Sequence, residues 1–452
     1  MSIFVRDRTF YARLLAIGAP IAAQQLITVA VSMLDTIMLG QLNDIALSAS
    51  SVGVQVQNMF HFMSMGMGMG ASVLIARFWG AKEERSLQKT LTLMYRLCLG
   101  VAMVFTLVTG FFPVQVLGLM TPDQAVIAEG VRYLRWALPC YLLYGLSMTT
   151  TLVLRNIGKM HIPLISAIGA FFVNIFFNWV FIFGKLGAPA MGVAGAALGT
   201  LISRAFEFSV ICGYFFLVDK KIRFHPIKGL LQSAGDLFPE YMRICLPVFI
   251  SDTLLGLGNS VTLTVAGHIG TVFMAANTIT NVTQQLATVF SAAVGQSAVI
   301  MIGNALGEAD QEKARRQGYT FAALGLLLGA ACACVIVAIS PMVVNGYQVS
   351  METKNTALEL FKAVGFTTIF MTEGSVLTKG VLRGGGDTRF LMIADVVFLW
   401  LVSIPLGTLA GLVWHWPPFI IFLSLRIDNL IKSVICLFRL RTDKWMKKIK
   451  AV

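Results

Sequence analysis

The stretch LLAIGAPIAAQQLITVAVSMLDTIML, residues 14–39, is apolar over most of its length. At a rise of 1.5 Å per residue, a helix needs about 20 apolar residues to cross a hydrocarbon core about 30 Å thick. The stretch is therefore long enough to span a lipid bilayer. It also contains one carboxylate, Asp35, where an ionised group costs about 2.5–3.5 kcal/mol on insertion scales, and such residues are usually functional.

The composition of the whole chain predicts an integral membrane protein. Of 452 residues, 57% are hydrophobic and 13% are charged, whereas soluble domains contain about 25% charged residues. The net charge of +13 does not indicate a nucleic-acid partner, because the basic residues lie in short clusters between apolar stretches. The seven cysteines lie within apolar stretches and are interpreted as small core residues rather than disulfide or metal ligands.

Apolar stretches of the required length occur twelve times, and we number the predicted helices 1 to 12 in chain order. They cover 14–39, 47–76, 88–112, 126–152, 161–184, 192–217, 244–268, 272–302, 316–341, 355–380, 390–412 and 417–438. The predicted fold class is all-α integral membrane, with twelve transmembrane helices.

The basic clusters predict the orientation of these helices. They lie at the N-terminus, in every loop from an even- to an odd-numbered helix and in the C-terminal tail. Because cytoplasmic loops carry an excess of Lys and Arg, we expect both termini in the cytoplasm. The expected location is the plasma membrane, here the bacterial cytoplasmic membrane, as a multi-pass protein. For the tail, a topology signal is favoured over a contact with anionic lipid.

The chain repeats itself at a nearly constant offset. Offsets of 227 or 228 residues relate Pro20 to Pro247, Gly40 to Gly267, IARFWGAKEE (75–84) to IGNALGEADQ (302–311), and LRNIGK (154–159) to LRGGGD (382–387). We therefore predict two six-helix lobes related by an internal repeat, with a cavity between them. The predicted boundaries are 1–218 for the first lobe, 219–243 for a cytoplasmic linker, 244–440 for the second lobe and 441–452 for a basic cytoplasmic tail. This duplication favours a transporter over a channel.

Residue counts from the helix ends group Asp35 with polar residues of two other helices. Asn174 and Asn178 lie four residues apart on one face of helix 5, and Thr200 lies in helix 6. Asp35, Asn178 and Thr200 lie about 8–12 Å below the outer boundary at 1.5 Å per residue. Such a pocket suits a proton or a hard cation such as Na⁺, which prefers oxygen ligands. The alternative for the asparagines is that each only bonds a neighbouring helix.

Other embedded charges leave two interpretations open. Asp252, Glu373 and Asp395 lie in the second lobe and form either a second ion site or a structural charge network. For two further Arg–acid pairs, Arg204 with Glu207 and Arg426 with Asp428, mutual neutralisation that locks helices is favoured over a role in transport.

Two further groups are predicted to line a substrate cavity. Helix 8 carries Asn277, Asn281 and Gln284 at helical spacing, and lipid offers these groups no partners. Helix 2 carries a run of methionines that includes Met59 and Met63. Methionine recurs on promiscuous binding surfaces, although packing inside the lobe is the alternative for each single methionine.

The chain lacks the sequence motifs of nucleotide hydrolases and of metal-dependent hydrolases. It has no GxxxxGK[ST] nucleotide-binding loop, no HExxH and no paired CxxC. We therefore expect no enzymatic activity and no cofactor. The expected energy source is a gradient of Na⁺ or H⁺, and we expect no bound metal other than Na⁺ at Asp35.

Four segments together resemble the multidrug and toxic compound extrusion (MATE) family. They are MLDTIMLGQL, GASVLIARFWGAKE, VNIFFNWVFIFG followed by GVAGAALGT, and LRGGGDTRF. The resemblance implies a cation-coupled antiporter that exports organic, often cationic, compounds by alternating access between two lobes. It also implies a first-lobe site at Asp35, Asn174, Asn178 and Thr200, and a role for Pro20 in bending helix 1.

The sequence departs from the family pattern at two places. One branch has Asp where this chain has Asn178, so the pocket here carries one charge fewer. Another branch has a Glu in helix 7, which would fall near Leu255, where this chain has no acid. The working hypothesis is a monomeric, ion-coupled exporter of small organic compounds. The alternative is a flippase for a lipid-linked oligosaccharide or another amphiphile.

Overall fold

The structure is a computed structural model, and it describes residues 4–41, 44–347 and 349–449. The described residues form helices joined by short loops and contain no strand. The predicted all-α fold class is therefore confirmed.

The first half of the chain forms six long helices. They are α1 Arg8–Gly40, α2 Asp44–Gly80, α3 Glu84–Phe111, α4 Gln124–Asn156, α5 His161–Phe183 and α6 Val193–Gly213, which continues into a π-helical turn, Tyr214–Val218. Two short helices, Pro113–Gly118 and Pro226–Leu231, lie in the connections.

The second half repeats this pattern with more irregular helices. They are α7 Phe238–Ile269, α8 Thr271–Gly307, α9 Gln311–Gly346, α10 Met351–Ser375, α11 Thr388–Val413 and α12, which consists of Pro418–Leu425 and Ile427–Arg441. A π-helical segment, Val376–Leu382, extends α10, and two more interrupt α11. Each of the twelve predicted spans coincides with one of these helices.

Within the described residues, ten of the helices are long and apolar enough to cross a membrane. The other two are α10 and α12. The sequence of α10 includes several charged residues, which lower its hydropathy, and α12 is divided at Arg426 into pieces of 8 and 15 residues.

Local sequence signals explain where several helices begin and end. Asp123 caps α4 by accepting from the backbone N–H of Ala125 over 2.9 Å, and Asp310 caps α9 by accepting from Lys313 over 2.9 Å. Such side chains satisfy donors that the first helical turn leaves unpaired. At the end of α5, Gly184 adopts a left-handed φ of 67°, which glycine tolerates without the steric cost of a Cβ.

The described residues divide into two units. The N-terminal unit contains 23–75 and 84–241, and the C-terminal unit contains the residues up to 22, 76–83 and those from 242 onward. Because the division falls at residue 22, α1 contributes to both units and changes unit two residues after Pro20. The predicted lobe boundaries at 218 and 244 stay a prediction.

Close packing of α5 on α6 sets the geometry of the N-terminal unit. Gly195 and Gly199 are four residues apart on α6, a spacing that lets helix backbones approach closely. A Cβ at Gly195 would lie 2.4 Å from the carbonyl oxygen of Phe181 on α5, which is closer than atoms can pack. The two glycines therefore allow α6 to lie directly against the polar face of α5.

Trp445 anchors the last described residues to the C-terminal unit, while Lys444 and Lys448 stay exposed. Trp445 is fully buried, and its indole N–H donates to the carbonyl of Leu440 over 3.2 Å. The carbonyl of Gly385 accepts from the N–H of Lys447 over 2.9 Å, and the guanidinium of Arg77 donates to the carbonyl of Lys447 over 3.1 Å. The predicted basic tail thus has a packing role in addition to its charge.

Candidate functional site

Asp35, Asn178 and Asn174 form a hydrogen-bonded chain in the N-terminal unit. Asn178 Nδ2 donates to Asp35 Oδ1 over 2.6 Å and to Asn174 Oδ1 over 3.2 Å. Both asparagines are almost completely buried, and Asp35 is partly buried. The structure therefore brings together three of the four residues that depth counting grouped.

Gly199 lies directly against the Asn178 amide. A Cβ at position 199 would lie 2.1 Å from Asn178 Oδ1, so only glycine leaves room for this oxygen. The same oxygen is buried and has no hydrogen-bond partner. Thr200 follows Gly199 on α6 and is half-buried, but among the described residues it makes no hydrogen bond to Asp35, Asn174 or Asn178.

Arg204 lies near the Asp35–Asn178–Asn174 chain. This proximity was not predicted from the sequence. The positive charge of Arg204 is close enough to act on the Asp35 carboxylate. As predicted, Arg204 forms an ion pair with Glu207, at 2.6 Å. The spacing of four residues between Thr200 and Arg204 could have indicated that Arg204 shares the helix face of the predicted site.

The guanidinium of Arg204 also connects the site to α2 through aromatic and imidazole groups. It lies 4.6 Å from the centre of the Tyr144 ring, within the range of a cation–π contact. The Tyr144 hydroxyl in turn is hydrogen-bonded to His61 Nδ1 on α2. Arg204 therefore contacts both the Glu207 carboxylate and the Tyr144 ring within the N-terminal unit.

In the C-terminal unit, two of the three predicted acids are ion-paired. Arg383 donates from its two terminal nitrogens to the two oxygens of Asp252, at 2.9 and 3.1 Å. Asp395 accepts from Ser251 over 2.6 Å and from Lys432 over 3.3 Å. Such pairing is what the structural interpretation requires, because a buried carboxylate without a countercharge is destabilising.

Glu373 differs from these two acids. It is fully buried, and its Oε2 accepts from the Ser433 hydroxyl. Its Oε1 has no hydrogen-bond partner, and no described basic side chain forms an ion pair with it. Of the three predicted acids, Glu373 is thus the one with free acceptor capacity.

The structure shows no direct ion pair between Arg426 and Asp428 among the described residues. Asp428 forms its ion pair with Lys432, four residues later in α12, at 2.9 Å. Arg426 instead donates to Asn259 Oδ1 on α7 over 3.1 Å. The physical reason is that Arg426 lies at the break between the two pieces of α12, so it does not share the helix face of Asp428.

Comparison with known proteins decides what kind of protein carries these groups. A family model described as MatE matches residues 20–180 and 247–409, and the two matches begin 227 residues apart, the offset of the internal repeat. The chain belongs to the MatE family.

Individual relatives of this MatE chain cover nearly its full length. It is 24% identical over 453 residues to the uncharacterized transporter YisQ of Bacillus subtilis, covering 98% of this chain and 96% of YisQ. It is 25% identical to the multidrug resistance protein MdtK of Proteus mirabilis, covering 88% and 87%. A solved structure of a mutant of the Vibrio cholerae MATE transporter VcmN superposes with a TM-score of 0.88 at 16% identity, covering 98% of each chain.

The family and the fold are those of multi-pass membrane transporters. The twelve-helix arrangement of this MatE chain agrees with that fold, including α10 and α12. Among the described residues, no group of three or more His, Cys, Asp or Glu side chains could hold a metal ion.

The predicted cavity residues of the MatE chain are divided between its two units. On α2, Met59 is 42% exposed and Met63 is half-buried, whereas Met67 and Met69 are buried. On α8, Asn277 and Gln284 are buried and Asn281 is half-buried. Gln284 Nε2 lies 3.6 Å from the sulfur of Met371, a weak acceptor. A role in lining a substrate cavity stays a prediction for both groups.

Proposed function

We propose that this protein is a cation-coupled antiporter that exports small organic cations, with Asp35 as the coupling carboxylate. The carrying observation is the hydrogen bond from Asn178 Nδ2 to Asp35 Oδ1, which fixes a carboxylate inside a buried, polar helix junction. The proposed location is the bacterial cytoplasmic membrane, with both termini in the cytoplasm and the monomer as the transporting unit.

The orientation of the Asn178 amide favours H⁺ over Na⁺ as the coupling ion. Its nitrogen faces Asp35, and its oxygen faces Gly199. Sodium requires several oxygen ligands, so binding it beside Asp35 would need the amide to turn over. A proton needs only Asp35 Oδ2, the carboxylate oxygen to which Asn178 does not donate.

Coupling requires the ion to bind the two transport conformations with different affinity, because equal affinity shifts no population. In this proposal, proton binding from outside neutralises Asp35 and weakens its attraction to Arg204. Loss of the proton restores that attraction and favours reloading from the cytoplasm. Arg204 also forms an ion pair with Glu207, at 2.6 Å, in the conformation described above.

The proposed substrate class rests on two supports. The MdtK relative is named a multidrug resistance protein, and the half-buried and exposed methionines of α2 offer adaptable apolar contacts. Organic cations of moderate size fit an environment with one carboxylate and soft apolar groups.

The test is ethidium movement in proteoliposomes that carry an imposed H⁺ or Na⁺ gradient. We expect the H⁺ gradient alone to drive transport, and we expect Asp35→Asn to abolish it at normal expression. Glu129→Gln is the matched control, because Glu129 forms an exposed ion pair with Arg132 at 2.9 Å, and such pairs contribute little.

Undiminished gradient-driven transport by Asp35→Asn would remove Asp35 from the mechanism. Transport driven by Na⁺ but not by H⁺ would contradict the choice of ion. Transbilayer movement of a fluorescent glycolipid in the absence of ethidium transport would instead support the flippase.

A further inference from the structure

We propose that a cavity at the start of α1 and α9 binds the head group of an anionic glycerophospholipid. The cavity has a volume of about 790 Å³ and lies entirely within the C-terminal unit. Sites of roughly 300–1,000 Å³ accommodate small organic ligands. No role in the transport cycle proposed above involves this cavity.

The charges that line the cavity favour an anion. Four basic side chains and three acidic ones line it: Arg6, Arg13, Lys313 and Arg316, with Asp7, Asp310 and Glu312. The lining therefore carries one more basic than acidic side chain, and each acid accepts hydrogen bonds from within the protein. Asp7 accepts from the N–H and hydroxyl of Thr9, Asp310 accepts from the N–H of Lys313, and Glu312 pairs with Arg316.

Two of the basic side chains have no ion-pair partner within the described part of the chain. Arg6 and Arg13 form no ion pair with any described acid, whereas Lys313 pairs with Glu308 at 2.6 Å. The Asn304 side-chain amide has one orientation in which both its nitrogen and its oxygen are hydrogen-bonded. In that orientation Arg13 donates to the amide oxygen, which is uncharged, over 2.9 Å. Arg6 and Arg13 are therefore available to a phosphate oxygen.

Gln317 supplies independent evidence for a ligand. It lines the cavity and is only 4% exposed, and its Oε1 has no hydrogen-bond partner. Leaving a buried acceptor unsatisfied costs about 1–3 kcal/mol. An amide oxygen requires a donor, and a hydroxyl of a phosphoglycerol head group supplies both that donor and, through its phosphate, the anion.

The first turn of α1 and the residues before it contact α9 and form one wall of this site. The N–H of Val5 donates to the Thr320 hydroxyl over 2.9 Å, and the Phe10 ring lies edge-on to Phe321 with centroids 5.4 Å apart. Phe4, which also lines the cavity, is 50% exposed. The wall thus presents apolar surface beside the cationic groups, as an amphiphile requires.

A membrane lipid fits this place better than a soluble phosphate compound. The cavity lies at the first turns of two membrane helices, on the side where the basic loops predict the cytoplasm. Anionic lipids of the inner leaflet attract basic residues next to membrane helices, by about 1 kcal/mol for each Lys or Arg.

The test uses the purified full-length protein in a neutral detergent. Dioctanoyl phosphatidylglycerol, dioctanoyl phosphatidylcholine and glycerol phosphate are titrated separately while thermal unfolding is followed. Only phosphatidylglycerol should raise Tm, because a ligand that binds only the folded state stabilises it. Native mass spectrometry should detect the retained lipid.

Two variants locate the binding. Arg6→Gln should weaken phosphatidylglycerol binding about fivefold, which corresponds to the loss of one basic contact. Gln317→Leu should abolish the preference for phosphatidylglycerol over phosphatidylmethanol, which has the same charge but no head-group hydroxyl. Arg85→Gln is the matched control, because Arg85 is exposed in the other unit. It should change neither the affinity for phosphatidylglycerol nor the preference over phosphatidylmethanol.

Several outcomes would overturn the proposal. Equal stabilisation by phosphatidylcholine, or an equal loss of affinity in Arg6→Gln and Arg85→Gln, would mean that the lipid binds without using this cavity. Stabilisation by glycerol phosphate to the same extent as by phosphatidylglycerol would assign the site to a soluble phosphate compound. The Tm without lipid shows whether each variant folds.

Discussion

The amide of Asn178 donates to the carboxylate of Asp35 over 2.6 Å and so connects α5 to α1. Replacing Asn178 by Leu keeps the size of the side chain but removes the donor. A hydrogen bond to a charged group contributes about 1.5–3 kcal/mol, so gradient-driven ethidium transport should fall about 10- to 100-fold. Asn174→Leu should have a smaller effect, because Asn174 contacts Asp35 only through Asn178. Equal losses in the two variants would contradict this order.

Gly199 is expected to tolerate no side chain. Gly199→Ala places a methyl group 2.1 Å from Asn178 Oδ1, and such overpacking costs about 1–3 kcal/mol. Both Tm and transport should therefore fall. Gly213→Ala on the same helix is the control, because its methyl group would meet nothing within 4 Å and alanine favours a helix. A Gly199→Ala variant with normal transport would show that the Asn178 amide need not hold its position.

The acids of the C-terminal unit should separate into two classes. Asp252→Asn leaves the buried guanidinium of Arg383 without its ion pair, which should destabilise the fold by about 3–5 kcal/mol. Glu373→Gln should leave Tm unchanged, since no described cation depends on Glu373. Thermal unfolding in detergent measures both.

The double variant Asp252→Leu with Arg383→Met is the control for that comparison, and it should recover most of the lost stability. Destabilisation by Glu373→Gln as large as that by Asp252→Asn would contradict the distinction.

Trp445 should contribute to the stability of the C-terminal unit. Removing a buried aromatic side chain costs about 3–5 kcal/mol, so Trp445→Ala should lower Tm. Gly385→Ala should do the same, because its methyl group would lie 2.2 Å from the indole ring. Gly267→Ala, with open space around its methyl group, should leave Tm unchanged. If both tail-contact variants melt like the wild type, the tail does not stabilise the unit.

The attachment of the linker between the predicted lobes to α3 should weaken at low pH. Asp236 forms an ion pair with Lys89, and this hydrogen bond holds the pKa of the Asp236 carboxyl below its ordinary value. Because the folded-state pKa is lowered, the contribution is complete above about pH 3.9 and is lost as the pH falls through the folded-state pKa.

Pepsin cleavage within residues 219–237 should therefore accelerate as the pH falls below about 3.9. In Asp236→Asn, the linker should be cleaved equally fast above and below about pH 3.9 within the acidic range in which pepsin is active, relative to a reference substrate, because the amide cannot form the ion pair. An identical pH dependence in wild type and variant would exclude this anchoring.

The sequence by itself determined the helices, the repeat and the family. Apolar runs of about 20 residues permit little else than membrane helices, because hydrocarbon satisfies no backbone hydrogen bond. Residue counts along those helices also grouped Asp35 with Asn174 and Asn178, since depth in a helix depends only on the rise per residue.

The tertiary structure alone decided which side chains meet. Among the described residues, Thr200 makes no hydrogen bond to Asp35, whereas Arg204 lies near Asp35. Asp428 pairs with Lys432 rather than Arg426, and Trp445 is buried rather than solvated. These contacts depend on the rotation of each helix about its axis, on breaks within helices and on side-chain rotamers. Periodicity and depth leave all three undetermined, because they are set by packing between segments that are distant in the chain.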